Sequence, residues 1–193
     1  MKIGVLALQG AFIEHIKMLK QVGAETVEVR LPEQLEGLDG LIIPGGESTT
    51  IGKLATDYNL IEPLREFSQH KPTWGTCAGM IFLAKQLTTE EQPILGSMDI
   101  QVNRNAFGRQ IDSFETNIHI DGFSDEPFHA VFIRAPVVTR VDDNVQVLAQ
   151  LDDGQVVAVQ QDHLLATAFH PELTDDLRLH SHFCAMIEKT TTS

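Results

Sequence analysis

Apolar positions along this chain form two kinds of run, and their order predicts the architecture. Residues 3–8 are continuously apolar and end near Gly10, as a strand buried on both faces would. Phe12, Ile16 and Leu19 then recur at helical spacing, the pattern runs through Val22, and Gly23 stops it. Residues 26–29 are short and β-branched. Residues 38–43 form a second apolar strand, closed by Pro44-Gly45-Gly46, after which Ser48 and Thr49 are placed to cap a helix. Residues 61–67 read as helix, 72–75 as a short strand leading into Cys77, and 79–87 as helix. Strands alternating with helices imply a parallel sheet with helices on both faces.

The second half changes character. Residues 99–102, 114–120, 130–133, 145–151, 156–160 and 164–169 read as strands, and Asp152-Asp153-Gly154 as a hairpin turn between two of them. They extend the sheet or form a smaller antiparallel layer. Residues 175–189 predict a closing helix. The expectation is an α/β fold of three layers, one domain over residues 1–193. Its central sheet is mostly parallel, with helices on both faces and a small antiparallel β extension. No repeat, low-complexity tract or linker interrupts it.

Composition narrows the function. With 193 residues, 42% hydrophobic and 21% charged, the chain can bury a substantial core without cross-links. Its formal net charge of -13 repels polyphosphate, which argues against a nucleic-acid partner. No apolar run approaches the roughly 20 residues that cross a bilayer. The first ten residues lack the long apolar region and cleavage site of a signal peptide. These features predict a cytoplasmic protein without a membrane partner. The two cysteines, Cys77 and Cys184, read as reduced thiols. Cys184, in an apolar helical stretch, reads as packing. No Cys/His cluster has metal-ligand spacing. His180 and His182, two apart on a helix, do not face the same way, so no metal is expected.

Three short segments carry chemistry. Gly75-Thr76-Cys77-Ala78-Gly79 places a nucleophile between glycines, the pattern of a sharp strand-to-helix turn. Such a turn seats the sulfur at a helix N-terminus, where the macrodipole favours the thiolate, and aims the Ala78 N–H at an oxyanion. The plain alternative for Cys77 is a small buried hydrophobe. His170-Pro171-Glu172 follows an apolar strand and offers a base with a carboxylate to orient it. Taken alone, a loop histidine beside a solvated glutamate explains it as well. Pro44-Gly45-Gly46-Glu47-Ser48 also follows a strand, and the Gly46 N–H is a candidate second oxyanion donor, though a structural turn accounts for these glycines too. In a parallel sheet, all three segments lie at the carboxyl ends of strands, where ligands bind.

Together these segments resemble the class I (triad) glutamine amidotransferases, which have a flavodoxin-like fold. That family carries a Gly-x-Cys-x-Gly elbow, an upstream Pro-Gly-Gly loop and a downstream His-Pro-Glu in this order. Longer blocks resemble the glutaminase subunits of pyridoxal 5'-phosphate synthases. They are residues 8–11 (LQGA), 44–50 (PGGESTT), 75–79 (GTCAG), 107–110 (FGRQ), 132–136 (FIRAP) and 169–174 (FHPELT). One departure is Ala106 after Asn105, where the family pattern has serine.

The resemblance implies a catalytic triad of Cys77, His170 and Glu172, and L-glutamine contacts from Gly46, Glu47, Ser48, Arg104, Ile133 and Arg134. It implies hydrolysis of glutamine to glutamate and ammonia through a cysteinyl thioester, with no cofactor. The ammonia passes to a separate PdxS-type pyridoxal 5'-phosphate synthase subunit in a large hetero-oligomer. That partner is expected to be needed for full activity, with ordering of the oxyanion loop as the switch. Three alternatives stay open on the residues alone: a glutaminase for another acceptor, such as imidazole glycerol phosphate synthase; a cysteine amidase or peptidase; and a non-catalytic binding module.

Overall fold

The computed structural model describes residues 1–89, 91–107 and 112–192. It is an α/β fold. One half of the main sheet is parallel, in the order β2 (Glu25–Val29), β1 (Lys2–Leu6), β3 (Gly40–Ile43), β4 (Thr73–Thr76) and β12 (Leu164–Thr167). Beyond β12 the sheet turns mixed. It continues through β11 (Val156–Gln161), β9 (Val137–Val141), β6 (Met98–Asn103) and β5 (Ala84–Leu87), with β10 (Gln146–Gln150) paired to β11. A separate antiparallel ribbon joins β7 (Ser113–Ile118) to β8 (Phe128–Ile133).

Side-chain alternation along β4 separates the two helical layers. Trp74 and Thr76 point to one face, where they meet α1 (Phe12–Gln21) and α5 (Arg178–Thr191): the Trp74 ring lies 5.6 Å from His15 and 4.9 Å from His180. Gly75, between them, faces α4 (Ala78–Leu83), which also packs against α2 (Ser48–Asp57). A further helix, α3 (Ile61–His70), packs on α2. The strands β1, β3, β4 and β12 are almost wholly buried, which explains their unbroken apolar runs.

Several expectations needed correction. The helix expected over 79–87 is a six-residue helix, α4, followed by strand β5. Ala84 turns to extended backbone (ψ 148°), and residues 84–87 pair with β6, a non-local contact that overrides the local apolar pattern. Strand β9 was not anticipated; it begins just past Pro136, and its β-branched residues pair with β6 and β11. The cap of α2 is Glu47 rather than Ser48 or Thr49, because the Glu47 carboxylate reaches forward to the N–H groups of Thr49 and Thr50. The closing helix starts at Arg178, not 175. Asp176 accepts from the Arg178 N–H and pairs with its guanidinium. The 151–155 turn forms as expected, with Gly154 at φ 85°. No helix among the described residues is long and apolar enough to cross a membrane.

Candidate active site

Strands β4 and β12 run parallel with Thr76 opposite Thr167. Cys77 leaves the end of the first and His170 lies three residues past the end of the second, so the register alone brings together residues 93 positions apart in sequence. The Cys77 N–H donates to the Thr167 carbonyl (2.8 Å), and the His170 N–H to that of Val131 (2.8 Å), which ties the second segment to β8.

Cys77 has φ 51° and ψ -106°, a conformation that costs a non-glycine residue about 1–3 kcal/mol. The flanking glycines make the turn sterically possible. A Cβ on Gly75 would lie 2.4 Å from the Gly79 carbonyl oxygen, and one on Gly79 would lie 1.9 Å from that of Ile43. Ala78 begins α4, so its N–H has no acceptor within the helix. The sulfur approaches the Ile133 carbonyl at 3.7 Å.

His170 and Glu172 occupy a single 3₁₀ turn, Pro171–Leu173 with His170 as its N-cap. His170 Nδ1 and Glu172 Oε1 are 2.5 Å apart, and the carboxylate is fully buried. Burial works against a charged His170, but its hydrogen bonds to Cys77 and Glu172, and their charges, outweigh this and raise its pKa to about 10. Burial likewise favours a neutral Glu172. The imidazoles of His15 and His170 reverse that and hold its carboxyl below the ordinary range. The surroundings of His170, between sulfur and carboxylate, therefore favour its charged form.

Above this line opens a cleft of about 470 Å³. Its lining holds Cys77, Ala78 and His170 together with Gly46, Glu47, Ser48, Arg104, Ile133 and Arg134. Of the site residues expected from sequence, only Glu172 is absent from the lining, because it lies beneath His170. Ile81 and Asn105 complete the wall. The Pro-Gly-Gly loop is tethered from the β1–α1 connection: the Ala11 N–H donates to Gly45 O (3.0 Å) and the Glu47 N–H to Gln9 Oε1 (2.8 Å). Burial works to raise the Glu47 pKa, but the hydrogen bonds from Thr49 and Thr50 together outweigh it and lower the value to about 2. Arg104, mostly buried, stands 3.8 Å from Glu47. Arg134 is exposed at φ 45°, 3.7 Å from Asp112. Both guanidiniums can meet a carboxylate. The block 107–110 lies outside the described residues from 108 on. Cys184 is a half-buried thiol on α5, its pKa raised first by burial.

Sequence reasoning missed two residues here. Gln9, in the 8–11 block, holds the Gly46–Glu47 peptide. His15 is wholly buried directly behind Glu172. Its signal was present: His15 shares the buried face of α1 with Met18 and Leu19, a polar residue at an apolar-face position.

A strained cysteine elbow, an adjoining imidazole and a buried carboxylate, set at the strand ends of an α/β sheet, define a triad hydrolase with a cysteine nucleophile. Comparison with known proteins narrows that class. The chain belongs to the SNO glutamine amidotransferase family, whose model matches residues 5–189. It is 58% identical over 190 residues to the pyridoxal 5'-phosphate synthase subunit PdxT of Herpetosiphon aurantiacus, covering 96% of this chain and all of that one. It is 57% identical over 190 residues to the PdxT of Carboxydothermus hydrogenoformans, covering 98% and 99%. A crystal structure of a glutamine amidotransferase superposes with a TM-score of 0.91 at 51% identity, covering 96% of this chain and 98% of that one. A structure of PurLQS from Thermotoga maritima shares the fold alone, at 15% identity and a TM-score of 0.69 over 98% of this chain and 95% of that one.

Proposed function

We propose that this chain hydrolyses L-glutamine to L-glutamate and ammonia through a Cys77 thioester, and that a separate synthase subunit consumes the ammonia in making pyridoxal 5'-phosphate. The observation that carries the reading is the meeting of Cys77, His170 and Glu172 beneath one cleft. Relatives named as PdxT, matched over their full length, supply the acceptor pathway.

The sulfur of Cys77, its proton held on His170, attacks the side-chain carboxamide carbon. A C–S bond forms and the carbonyl electrons move onto oxygen. The N–H groups of Gly46 and Ala78 receive that charge, each contributing about 3 kcal/mol. The C–N bond then breaks as His170 gives its proton to the leaving nitrogen, and ammonia departs. His170 next takes a proton from water, whose oxygen attacks the thioester. Collapse releases glutamate and the thiolate. Glu172 stays ionised and fixes the ring. Arg104 and Arg134 meet the α-carboxylate of glutamine, with Glu47, Ser48 and Ile133 completing the contacts.

Ammonia released into water is protonated and diluted, so the cleft must open toward the acceptor enzyme when the two are docked. A PdxS-type synthase in a hetero-oligomer fills that role. Reorienting the Gly45–Gly46 peptide on docking would break the Ala11 tether, a local switch of the kind the reading requires. Glutamate release is the test, measured for the wild type and Cys77→Ala, each with and without purified synthase. Cys77-dependent hydrolysis that rises with synthase is expected. Hydrolysis undiminished in Cys77→Ala would overturn the mechanism, and equal rates with and without synthase would remove the switch.

A further inference from the structure

Glu172 Oε1 is taken by His170, but its other oxygen is buried and makes no hydrogen bond of ordinary length. An imidazole faces it: His15 Nε2 lies 3.4 Å away, both side chains being fully buried. The same nitrogen stands 3.1 Å from Thr76 Oγ1. On its far side, His15 Nδ1 is 2.9 Å from His180 Nε2, and the remaining nitrogen of His180 is buried with no partner.

These distances favour one arrangement of the protons. If His15 carried hydrogen on Nδ1, its Nε2 lone pair would face a carboxylate oxygen, and His180 would bury an N–H with no acceptor. A buried, unsatisfied donor costs about 1–3 kcal/mol. With hydrogen on Nε2 of both rings, His180 donates to His15 Nδ1, and His15 Nε2–H faces Thr76 and Glu172. Only a lone pair of His180 is then left bare. Burial lowers the pKa of both rings, that of His180 to about 2, so each is neutral.

We propose that His15 is a positioning residue of this site: its Nε2–H, in a tautomer set by His180, holds the outer oxygen of Glu172 and keeps the carboxylate ionised and aimed at His170. The proposal rests on the glutaminase reading for its consequence, though not for its geometry. One carboxylate thus lies between two imidazoles with opposite duties. His170 carries the charge and moves the proton; His15 stays neutral and supplies a fixed dipole. The titratable groups facing this pair are Glu14 from α1, His170 from the 3₁₀ turn and His180 from α5, with Cys77 beyond His170. None of them can replace the donor on the outer oxygen, since His170 is engaged with the inner one.

Two measurements decide it. Long-range proton–nitrogen spectra of the unaltered full-length protein, labelled in histidine, report the tautomers. Nε2–H on both His15 and His180 is expected, and Nδ1–H on His15 overturns the proposal. Glutamine hydrolysis with synthase present gives the consequence. His15→Leu should lower kcat about 10- to 100-fold with little change in KM. It should also move the acid limb of the pH profile upward, because Glu172 loses a donor to its ionised form. His15→Gln, which restores an N–H near the same place, should recover most of both. A purely packing role would leave the acid limb in place, and wild-type kcat and limb in His15→Leu would likewise overturn the proposal. Should His15→Leu fail to fold, the tautomers of the unaltered protein decide alone. Absence of any Cys77-dependent hydrolysis in the wild type would instead sink the glutaminase reading and leave the tautomer result standing.

Discussion

His170 Nδ1 and Glu172 Oε1 lie 2.5 Å apart although only Pro171 separates the two residues. His170 and Glu172 therefore share one 3₁₀ turn, and Pro171 restricts the backbone between them. The turn is anchored by the His170 N–H on Val131 and closed by the Leu173 and Thr174 N–H groups on His170 and Pro171. Cys77 comes from a different strand. The geometry thus reduces to one register, β4 against β12, plus one rigid turn.

Replacing the carboxylate by its isostere tests that pairing. Glu172→Gln keeps the volume but removes the charge and can present an N–H to Nδ1, which favours the wrong tautomer. We expect kcat to fall roughly 10³- to 10⁴-fold with glutamine KM little changed. Steady-state kinetics with synthase present checks this, and a loss under tenfold would mean that Glu172 does not orient His170.

Two glycines near the sulfur separate chemistry from folding. A Cβ on Gly45 would lie 2.5 Å from His170 Cε1 and 3.3 Å from Cys77 Cβ, so Gly45→Ala pushes on the imidazole. A Cβ on Gly79 would meet the Ile43 backbone oxygen at 1.9 Å, which cannot give way as a side chain can. Gly45→Ala should lower kcat at least about 100-fold and cost less stability than Gly79→Ala. Gly79→Ala should lose about 1–3 kcal/mol or more of stability. Urea titration and activity of both variants provide the comparison, and equal stability losses would contradict it.

The segments that meet at the cleft were legible in sequence because each follows a buried strand and is marked by glycine or proline. Backbone crowding at Cys77 demands those glycines, so the demand shows in the sequence. His15 carried a signal, a polar residue on an apolar helix face, but not a role: such a histidine is ordinarily a satisfied core residue, and only tertiary packing puts Glu172 beside it. Residues 84–87 misled for the same reason. Their local pattern continues a helix, and the partner strand β6 that makes them extended lies beyond their own window. Glu47 was legible as part of the glycine loop but not as a helix cap, since glutamate is not a usual capping residue.

That cap has a consequence for the cleft, of which Glu47 is part. Glu47 Oε2 accepts from the Thr50 N–H and from both threonine hydroxyls, and Oε1 accepts from the Thr49 N–H, so the carboxylate is largely committed to α2. Glu47→Ala should therefore cost about 1 kcal/mol of stability. Glu47→Asp, which retains a capping carboxylate, should stay within about 0.5 kcal/mol of wild type. Its glutamine KM should also change by less than about threefold, since the loop stays anchored through the backbone to Gln9. An Asp variant as unstable as the Ala variant would show that the cap is not what Glu47 contributes.

The charges at the triad also set how stability responds to pH. His170 has a folded pKa of about 10 against an ordinary 6.5, so the stability it contributes is fully present below 6.5 and is lost as pH rises through 10. Glu172 is shifted the other way. Its contribution is present above its ordinary 4.5 and is lost as pH falls below that. The two windows overlap between about 4.5 and 6.5, where the ion pair stabilises the fold most. Urea midpoints of wild type and His170→Gln at pH 6, 8 and 10 measure the alkaline slope directly. Wild type should lose at least about 1 kcal/mol more than the variant between pH 6 and 10. Parallel slopes would mean that His170 is not charged in the resting protein, and the imidazolium drawn between Cys77 and Glu172 would have to be abandoned.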